Sequence, residues 1–351
     1  MVSRRLTFAV PGELSTPTGG YAYDRRIISE LSQLGWHLDV LNLGEGFPQA
    51  TAPDREAARQ LLMTVPVGCP IVVDGLALGV LPEAACEVSQ HHPLIALVHH
   101  PLAFESGLTR ATADALRVSE RAALAYARCV VVTSPAMARL AADEYAVDTD
   151  RLFTVSPGTD RAILMPRAAN VPIQLLTVGA IVPRKAYDVL AAALARLTDL
   201  PWHLTIVGDR SRDRAASQAL DRDLKRYDLV DRVTVEGVVG SKRLDALYGL
   251  ADLFVLPSRF EGYGMVFAEA IAHGIPIVAT CAGAIPDTVP DDAGILVQPD
   301  DVTALAAALR SLIEQPETRR RLAEAAQSAA VSLPTWRDAA LLFARAIEAI
   351  L

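Results

Sequence analysis

Cysteine is scarce and long apolar runs are absent, and each absence excludes a class of protein. The four cysteines are scattered without a Cys-x-x-Cys pair, which argues against a zinc site or a disulfide framework. No stretch reaches the roughly 18–20 apolar residues that span a bilayer, and Leu6–Val10 is too short for the apolar core of a signal peptide. We therefore expect a cytoplasmic protein, and peripheral contact with the inner face of the membrane stays open.

An excess of positive charge and a dinucleotide-binding fingerprint are also missing. Lys and Arg number 33 against 41 Asp and Glu, and the resulting net charge of −8 argues against a general nucleic-acid binder. No Gly-x-Gly-x-x-Gly follows a strand, which argues against an NAD-dependent dehydrogenase.

The 351 residues, of which 51% are hydrophobic, suit a globular chain of two domains. Short apolar runs alternate with amphipathic stretches in both halves, which predicts two doubly wound α/β domains with parallel sheets. Strands are predicted at Leu6–Val10, His37–Leu41, Pro70–Asp74, Leu94–Val98, Val130–Thr133, Leu152–Val155, Leu175–Val178, His203–Val207, Arg232–Val235, Leu253–Leu256 and Pro276–Ala279. We place the domains at 1–160 and 173–333, a hinge at 156–172 and a last helix within 334–351.

Two loops of the first half follow predicted strands, where such folds bind ligands. Gly19 and Gly20 open a helix, so a ligand can approach the backbone and its free N–H groups; a simple tight turn is the alternative. His99 and His100 end another strand, where an imidazole can donate to a ligand hydroxyl or carry a proton. We favour His99, and the alternative is a histidine that only caps the strand.

Arg184 and Lys185 lie at the start of a helix predicted over Lys185–Leu197. Cations are unfavourable at that end of the helix dipole, and a nearby diphosphate would offset the cost. Two solvated surface charges are the alternative.

The strongest motif lies between the predicted strand that ends at Leu256 and Pro276. Gly262 and Gly264 allow a tight turn into a helix whose free N–H groups suit a phosphate. Glu269 lies in that helix among apolar neighbours, where a carboxylate is costly without a partner, and two ribose hydroxyls would be suitable donors. Glu261, in the loop, can reach another part of the same ligand.

At these residues the sequence resembles the retaining glycosyltransferases of family 4, which have the GT-B fold. Those proteins carry two glutamates eight positions apart, flanked by Pro-Ser before and Ala-x-Gly-x-Pro after. The matching residues are Pro257-Ser258, Glu261, Glu269 and Ala272-His273-Gly274-Ile275-Pro276. The resemblance implies two Rossmann-like domains facing a cleft, the first for the acceptor and the second for the nucleotide sugar, with the terminal helix crossing back onto the first.

The resemblance also implies a role for each candidate residue. Glu261 and His99 would act at the donor sugar as catalytic residues, and Glu269 would bind the ribose. Donor and diphosphate binding would fall to Gly19, Gly20, Arg184, Lys185, Gly262, Tyr263, Gly264, Met265 and Val266. Three residues depart from the family pattern, namely Ala180, Ala186 and Asp287.

The activity implied is transfer of a hexose from a UDP- or GDP-linked sugar, with retention and without a metal or other cofactor, as in polysaccharide biosynthesis. The acceptor would be a glycan, a lipid-linked intermediate or a small molecule, and no nucleic acid is expected as a partner. Two alternatives stay open: a nucleotide-sugar epimerase of the same fold, and a non-catalytic protein that binds sugar nucleotides.

Overall fold

The computed structural model describes residues 4–162 and 171–351, which form two compact units. The first unit comprises the described residues up to Gly158 together with Pro334–Leu351, and the second comprises the described part of Thr159–Leu333. The predicted hinge, 156–172, lies partly outside the described residues, at 163–170.

The first unit contains a six-stranded parallel sheet in the order β2-β1-β3-β4-β5-β6. Its strands are β1 (Arg5–Val10), β2 (His37–Asn42), β3 (Ile71–Asp74), β4 (Leu94–Val98), β5 (Cys129–Val132) and β6 (Leu152–Thr154). Its first six helices are α1 (Gly19–Gln33), α2 (Ala52–Leu62), α3 (Gly75–Leu78), α4 (Pro82–Ser89), α5 (Arg110–Leu124) and α6 (Pro135–Tyr145). The central strands β3, β4 and β5 are buried at every residue because helices cover both faces of such a sheet.

The second unit contains another six-stranded parallel sheet, in the order β12-β11-β10-β7-β8-β9. Its strands are β7 (Ile173–Val178), β8 (Trp202–Val207), β9 (Val233–Gly237), β10 (Leu253–Leu256), β11 (Ile277–Thr280) and β12 (Gly294–Val297). Its helices are α7 (Tyr187–Leu194), α8 (Arg214–Arg226), α9 (Ser241–Leu250), α10 (Met265–Ala272), α11 (Ile285–Thr288), α12 (Val302–Glu314) and α13 (Pro316–Ala330).

The last helix, α14 (Trp336–Glu348), packs on the first unit, as expected. A Thr335–Asp338 capping box starts it, and its apolar face is buried. The ring of Phe343 lies 6.3 Å from that of Phe8 in β1, and the ring of Trp336 lies 6.0 Å from that of Tyr23 in α1. Within the described residues, no helix combines the length and the apolar character needed to cross a membrane.

Two details of the second unit differ from the sequence prediction. The edge strand β12, a run of four half-buried residues, was not predicted. The helix predicted to begin at Lys185 begins at Tyr187. Arg184 and Lys185 belong to a single 3₁₀ turn before it, and Ala186 joins the two with a left-handed φ of 53°.

Candidate functional site

The candidate site of the second unit lies where its strand order reverses. Strands β7 and β10 are neighbours although residues 179–252 separate them in the chain, so the loops after their carboxyl ends meet. In open α/β sheets this switch point is where ligands bind. Arg184 and Lys185 follow β7, and Glu261 follows β10.

Glu261 joins these two loops as an ion-paired carboxylate. Lys185 Nζ lies 2.6 Å from Glu261 Oε1, and Arg184 Nη1 lies 3.2 Å from Oε2. Ser258 also donates to Oε1. Arg184 Nη1 contacts the carbonyl oxygen of Phe260 at 2.8 Å, which ties its guanidinium to the same loop. The structure thus brings Glu261, Arg184 and Lys185 together. The two cations, for which the sequence suggested only a ligand or solvent, face a carboxylate of the same unit.

The charges of this cluster hold Glu261 ionised. Burial by itself would raise the pKa of Glu261, but Lys185, Arg184 and the hydrogen bonds from Lys185 and Ser258 lower it to about 2. The side chains of the two cations are also largely buried, with 17% of Arg184 and 12% of Lys185 exposed. A dense positive charge with low exposure is suited to phosphate oxygens.

The loop after β11 supports the backbone of Glu261. Gly283 has φ of 57°, and a Cβ there would lie 2.3 Å from the carbonyl oxygen of Glu261, so only glycine fits. The N–H of Ala284 donates to the same oxygen at 2.9 Å. Asp287, the acidic residue of this segment, lies in the short helix α11.

Glu269 has a partner inside the chain, which corrects the sequence argument that a ligand must supply it. Tyr248 OH in α9 donates to Glu269 Oε2 at 2.7 Å. The Tyr248 ring is buried and stacks on His273 with ring centres 4.9 Å apart. Burial raises the pKa of Glu269, and the Tyr248 hydrogen bond opposes that rise. Glu269 itself is half-buried.

The five residues between Glu261 and Glu269 that were predicted to bind the donor lie partly in the loop and partly in the first turn of α10. Gly264 has φ of 84° and precedes α10, where a Cβ would lie 2.5 Å from the Phe267 ring, so glycine is required here. Gly262 is buried, whereas Tyr263, Met265 and Val266 are half-buried. Burial raises the pKa of Tyr263 to about 12, so its hydroxyl is neutral.

In the first unit, His99 follows β4 and contacts two buried carboxylates. His99 Nε2 lies 3.0 Å from Asp24 Oδ1 and 3.4 Å from Asp74 Oδ2. Asp74 ends β3, the neighbour of β4, while Asp24 lies on the buried face of α1. His100 differs, because its Nε2 faces Glu105, a residue with an exposed side chain, at 3.4 Å.

Gly20 is placed against His99, whereas Gly19 is not. A Cβ on Gly20 would lie 3.2 Å from His99 Cδ2, and one on Gly19 would meet nothing within 4 Å. The two glycines therefore have different steric roles, although both lie in the first turn of α1 after the Thr18 cap.

Sequence reasoning missed three residues of these clusters: Asp24, Asp74 and Tyr248. The first two had a readable signal. Asp24 lies on the apolar face of a helix between Tyr23 and Ile27, and Asp74 ends a fully apolar strand. Tyr248 had none, because an aromatic residue on a helix is usually part of a core.

Comparison with known proteins gives a consistent result. Residues 166–329 match the family model described as "Glycosyl transferases group 1". The MMP α-(1→4)-mannosyltransferase of Mycolicibacterium hassiacum is 30% identical over 264 residues, which cover 71% of this chain and 63% of that protein. The D-inositol 3-phosphate glycosyltransferase of Thermomonospora curvata is 32% identical over 263 residues, covering 66% and 61%. The chain thus spans about three-fifths of the length of these relatives.

Solved structures confirm the expected GT-B fold. Sucrose-phosphate synthase from Thermosynechococcus elongatus superposes with a TM-score of 0.82 at 22% identity, covering 98% of this chain and 99% of that one. HepE from Anabaena, solved in complex with UDP and glucose, gives a TM-score of 0.76 at 18% identity, covering 97% and 99%.

Proposed function

We propose that this chain, whose residues 166–329 match the family model of the glycosyl transferases group 1, moves a hexose from a UDP- or GDP-linked sugar to a carbohydrate, lipid-linked or small-molecule acceptor. The observation that carries the proposal is the Glu261 carboxylate held between Lys185 and Arg184 at the switch point of the second unit. HepE, of the same fold, is solved with UDP and glucose, which supports a nucleotide sugar as the donor.

The cluster suits a donor that carries a diphosphate beside a sugar. Arg184 and Lys185 would neutralise the diphosphate, whose charge grows as it leaves, so no metal is needed for that task. Glu261 would accept hydrogen bonds from sugar hydroxyls, because its pKa of about 2 keeps it ionised. Glu269 would accept from the ribose with the oxygen that Tyr248 does not occupy.

The reaction breaks the bond between the anomeric carbon and the diphosphate oxygen and forms a bond from that carbon to an acceptor oxygen. The acceptor proton would pass to the leaving phosphate, on the same face of the sugar, so that the configuration is retained. The transition state has oxocarbenium character. Glu261 is bound on both carboxylate oxygens by Lys185, Arg184 and Ser258, which disfavours it as a covalent nucleophile.

The test is transfer by purified variants. Lys185→Ala and Glu261→Ala should each abolish transfer while circular dichroism shows a folded chain. Lys225→Ala, on an exposed position of α8, is the matched control and should keep full activity. Full activity of Lys185→Ala or Glu261→Ala would contradict the assignment.

Donor identity is accessible by thermal shift, because a ligand that binds only the folded state raises Tm. A panel of UDP- and GDP-sugars should single out one base. Product analysis then separates transfer from epimerisation, since transfer requires an acceptor and releases free nucleotide. Binding of the donor without turnover over a broad acceptor panel would favour a non-catalytic protein.

A further inference from the structure

We propose that Asp245 and His273 position the carboxylate of Glu269 and thereby make the affinity for the donor fall as the pH rises. This inference rests on the proposed function, in which Glu269 accepts hydrogen bonds from the ribose. It concerns a residue that the family pattern leaves free, because His273 stands at the variable position of the Ala-x-Gly-x-Pro segment.

Helices α9 and α10 contact each other through two side-chain pairs at matching spacing. On α9, Asp245 and Tyr248 lie three residues apart. Glu269 and His273 lie four residues apart, and His273 directly follows the last residue of α10. Such spacings place two side chains on one face of a helix. Asp245 Oδ1 accordingly lies 2.9 Å from His273 Nε2. The second pair is the hydrogen bond from Tyr248 to Glu269.

His273 also contacts both members of that second pair. Its ring stacks on the ring of Tyr248, with centres 4.9 Å apart and an angle of 19° between the planes. Its Nδ1 lies 2.8 Å from the backbone carbonyl oxygen of Glu269, and its side chain is only 12% exposed. A movement of this ring is therefore transmitted to the tyrosine hydroxyl that orients the Glu269 carboxylate.

The contacts of His273 require a hydrogen on each ring nitrogen. Nδ1 faces a carbonyl oxygen and Nε2 faces the carboxylate of Asp245, and both of these groups only accept hydrogen bonds. The ring with a hydrogen on each nitrogen is the imidazolium. Its positive charge also lies at the C-terminal end of α10, where the helix dipole favours a cation.

Loss of one proton breaks this arrangement. A neutral imidazole keeps a hydrogen on one nitrogen only, so the other nitrogen presents a lone pair to an oxygen that also carries lone pairs. The ring must then turn away from the Glu269 carbonyl or from Asp245, and Tyr248, which stacks on it, follows. Because histidine changes its charge between about pH 5 and 8, Glu269 should lose its fixed orientation as the pH rises through that range.

Glu269 itself predicts the opposite trend with pH. Burial raises the pKa of Glu269, whereas the hydrogen bond from Tyr248 and the charge of His273 lower it, and the charge of Asp160 raises it. Protonation of Glu269 would weaken the binding of a ribose as the pH falls. A decrease in affinity at higher pH therefore reports on His273 and not on Glu269.

The other groups around the ring do not account for such a trend. Burial raises the pKa of Tyr248 well above its ordinary value, so its hydroxyl stays neutral. Helix α13, which packs on α10, places the neutral Gln327 against Gly274. The neighbouring helices α9, α11 and α13 carry charges at exposed positions, among them Lys242, Arg243, Asp287, Arg320 and Glu324.

The test is isothermal titration calorimetry of the full chain with UDP-glucose and with GDP-mannose from pH 6 to 8.5. Nucleotide sugars are used because the terminal phosphate of a free nucleotide titrates at about pH 6 and would add a trend of its own. The wild type should bind its donor about 3- to 10-fold more weakly at pH 8.5 than at pH 6, which corresponds to the loss of one hydrogen bond.

Two variants should remove this dependence on pH. In Asp245→Asn the amide can accept from an Nε2–H or donate to a bare Nε2, so the affinity should stay close to the value of the wild type at pH 6. His273→Gln has no titratable group at this position, and its affinity should also be independent of pH. Asp231→Asn, exposed in the second unit, is the matched control and should keep the trend of the wild type.

Nitrogen NMR of the chain labelled in histidine reports the charge of His273 without any donor, and His273→Gln assigns its signals among seven histidines. We expect an imidazolium at pH 6 that becomes neutral by pH 8.5. A neutral ring at pH 6 would overturn the inference, as would equal trends of affinity with pH in the wild type and in Asp245→Asn. In both cases donor binding, and with it the proposed function, would stand.

A loss of affinity in His273→Gln that follows the same pH trend as the wild type would indicate a merely structural role and would also overturn the inference. If neither nucleotide sugar binds at any pH while His273 titrates as expected, the result would instead contradict the proposed donor, and the role of Glu269 at the ribose would fall with it.

Discussion

Glu261→Gln should destabilise the second unit in a way that depends on pH. The substitution keeps the shape of the side chain and removes its charge, which leaves Lys185 and Arg184 facing a neutral amide with little exposure to water. Buried cations that lose their counter-charge are expensive, so the loss should be visible in the free energy of unfolding.

The pKa of Glu261 sets the size of the effect. A fall from the ordinary value of 4.5 to about 2 corresponds to about 3 kcal/mol, at about 1.4 kcal/mol for each unit. Because the folded pKa is depressed, this stability is complete above pH 4.5 and is lost as the pH falls towards 2. The gap between wild type and variant should therefore be about 3 kcal/mol at pH 7 and shrink steadily below pH 4.5.

The assay is urea unfolding followed by the fluorescence of Trp202, which lies in the second unit, with Trp36 and Trp336 replaced by Phe in both proteins. Glu317→Gln, whose side chain is exposed on α13, is the matched control and should change the free energy by less than about 0.5 kcal/mol. A gap that stays the same from pH 7 to pH 3, or one no larger than that of the control, would refute the reasoning.

Three further predictions concern the donor, the histidine and the metal. Tyr248→Phe removes the hydroxyl that donates to Glu269, and the KM for the donor should rise about 3- to 10-fold, which corresponds to the loss of one hydrogen bond. An unchanged KM in initial-rate assays would contradict the binding of the ribose by Glu269. Gly20→Ala should displace the His99 ring and shift its NMR signals, whereas Gly19→Ala, in open space, should not, and equal shifts would contradict the contact. Chelation with EDTA should leave the rate of transfer unchanged, and a loss restored by Mg²⁺ or Mn²⁺ would contradict a metal-independent reaction.

The fold could be predicted from the sequence because parallel strands buried on both faces read as unbroken apolar runs. The predicted strands Leu94–Val98 and Leu253–Leu256 have the observed bounds. The edge strand β12 was missed although its sequence, Gly-Ile-Leu-Val, is apolar, because so short a run is ambiguous by periodicity alone. The sequence prediction placed Lys185 in a helix because an alanine at position 186 does not indicate a left-handed φ.

The candidate site could be predicted only as separate pieces. Glu261 was expected in one loop and Arg184 and Lys185 in another, on the strength of their positions after strands. Their contact depends on β10 lying beside β7, an order that skips two intervening strands. Local pattern does not encode that order, so the sequence argument assigned the two cations to a ligand and overlooked the carboxylate beside them.

Contacts between residues distant in the chain also explain how the buried carboxylates of Glu269 and Asp24 are stabilised. A carboxylate on an apolar helical face signals that a partner exists, and this reasoning singled out Glu269 but assigned it a ligand as its partner. The partner of Glu269 is Tyr248 from helix α9, and the partner of Asp24 is His99, which follows β4 and lies 75 residues further along the chain. The cost of burial is therefore met within the chain before any ligand arrives. On the proposed function, a ribose would then bind through what the Glu269 pair leaves over, which is the second carboxylate oxygen of Glu269.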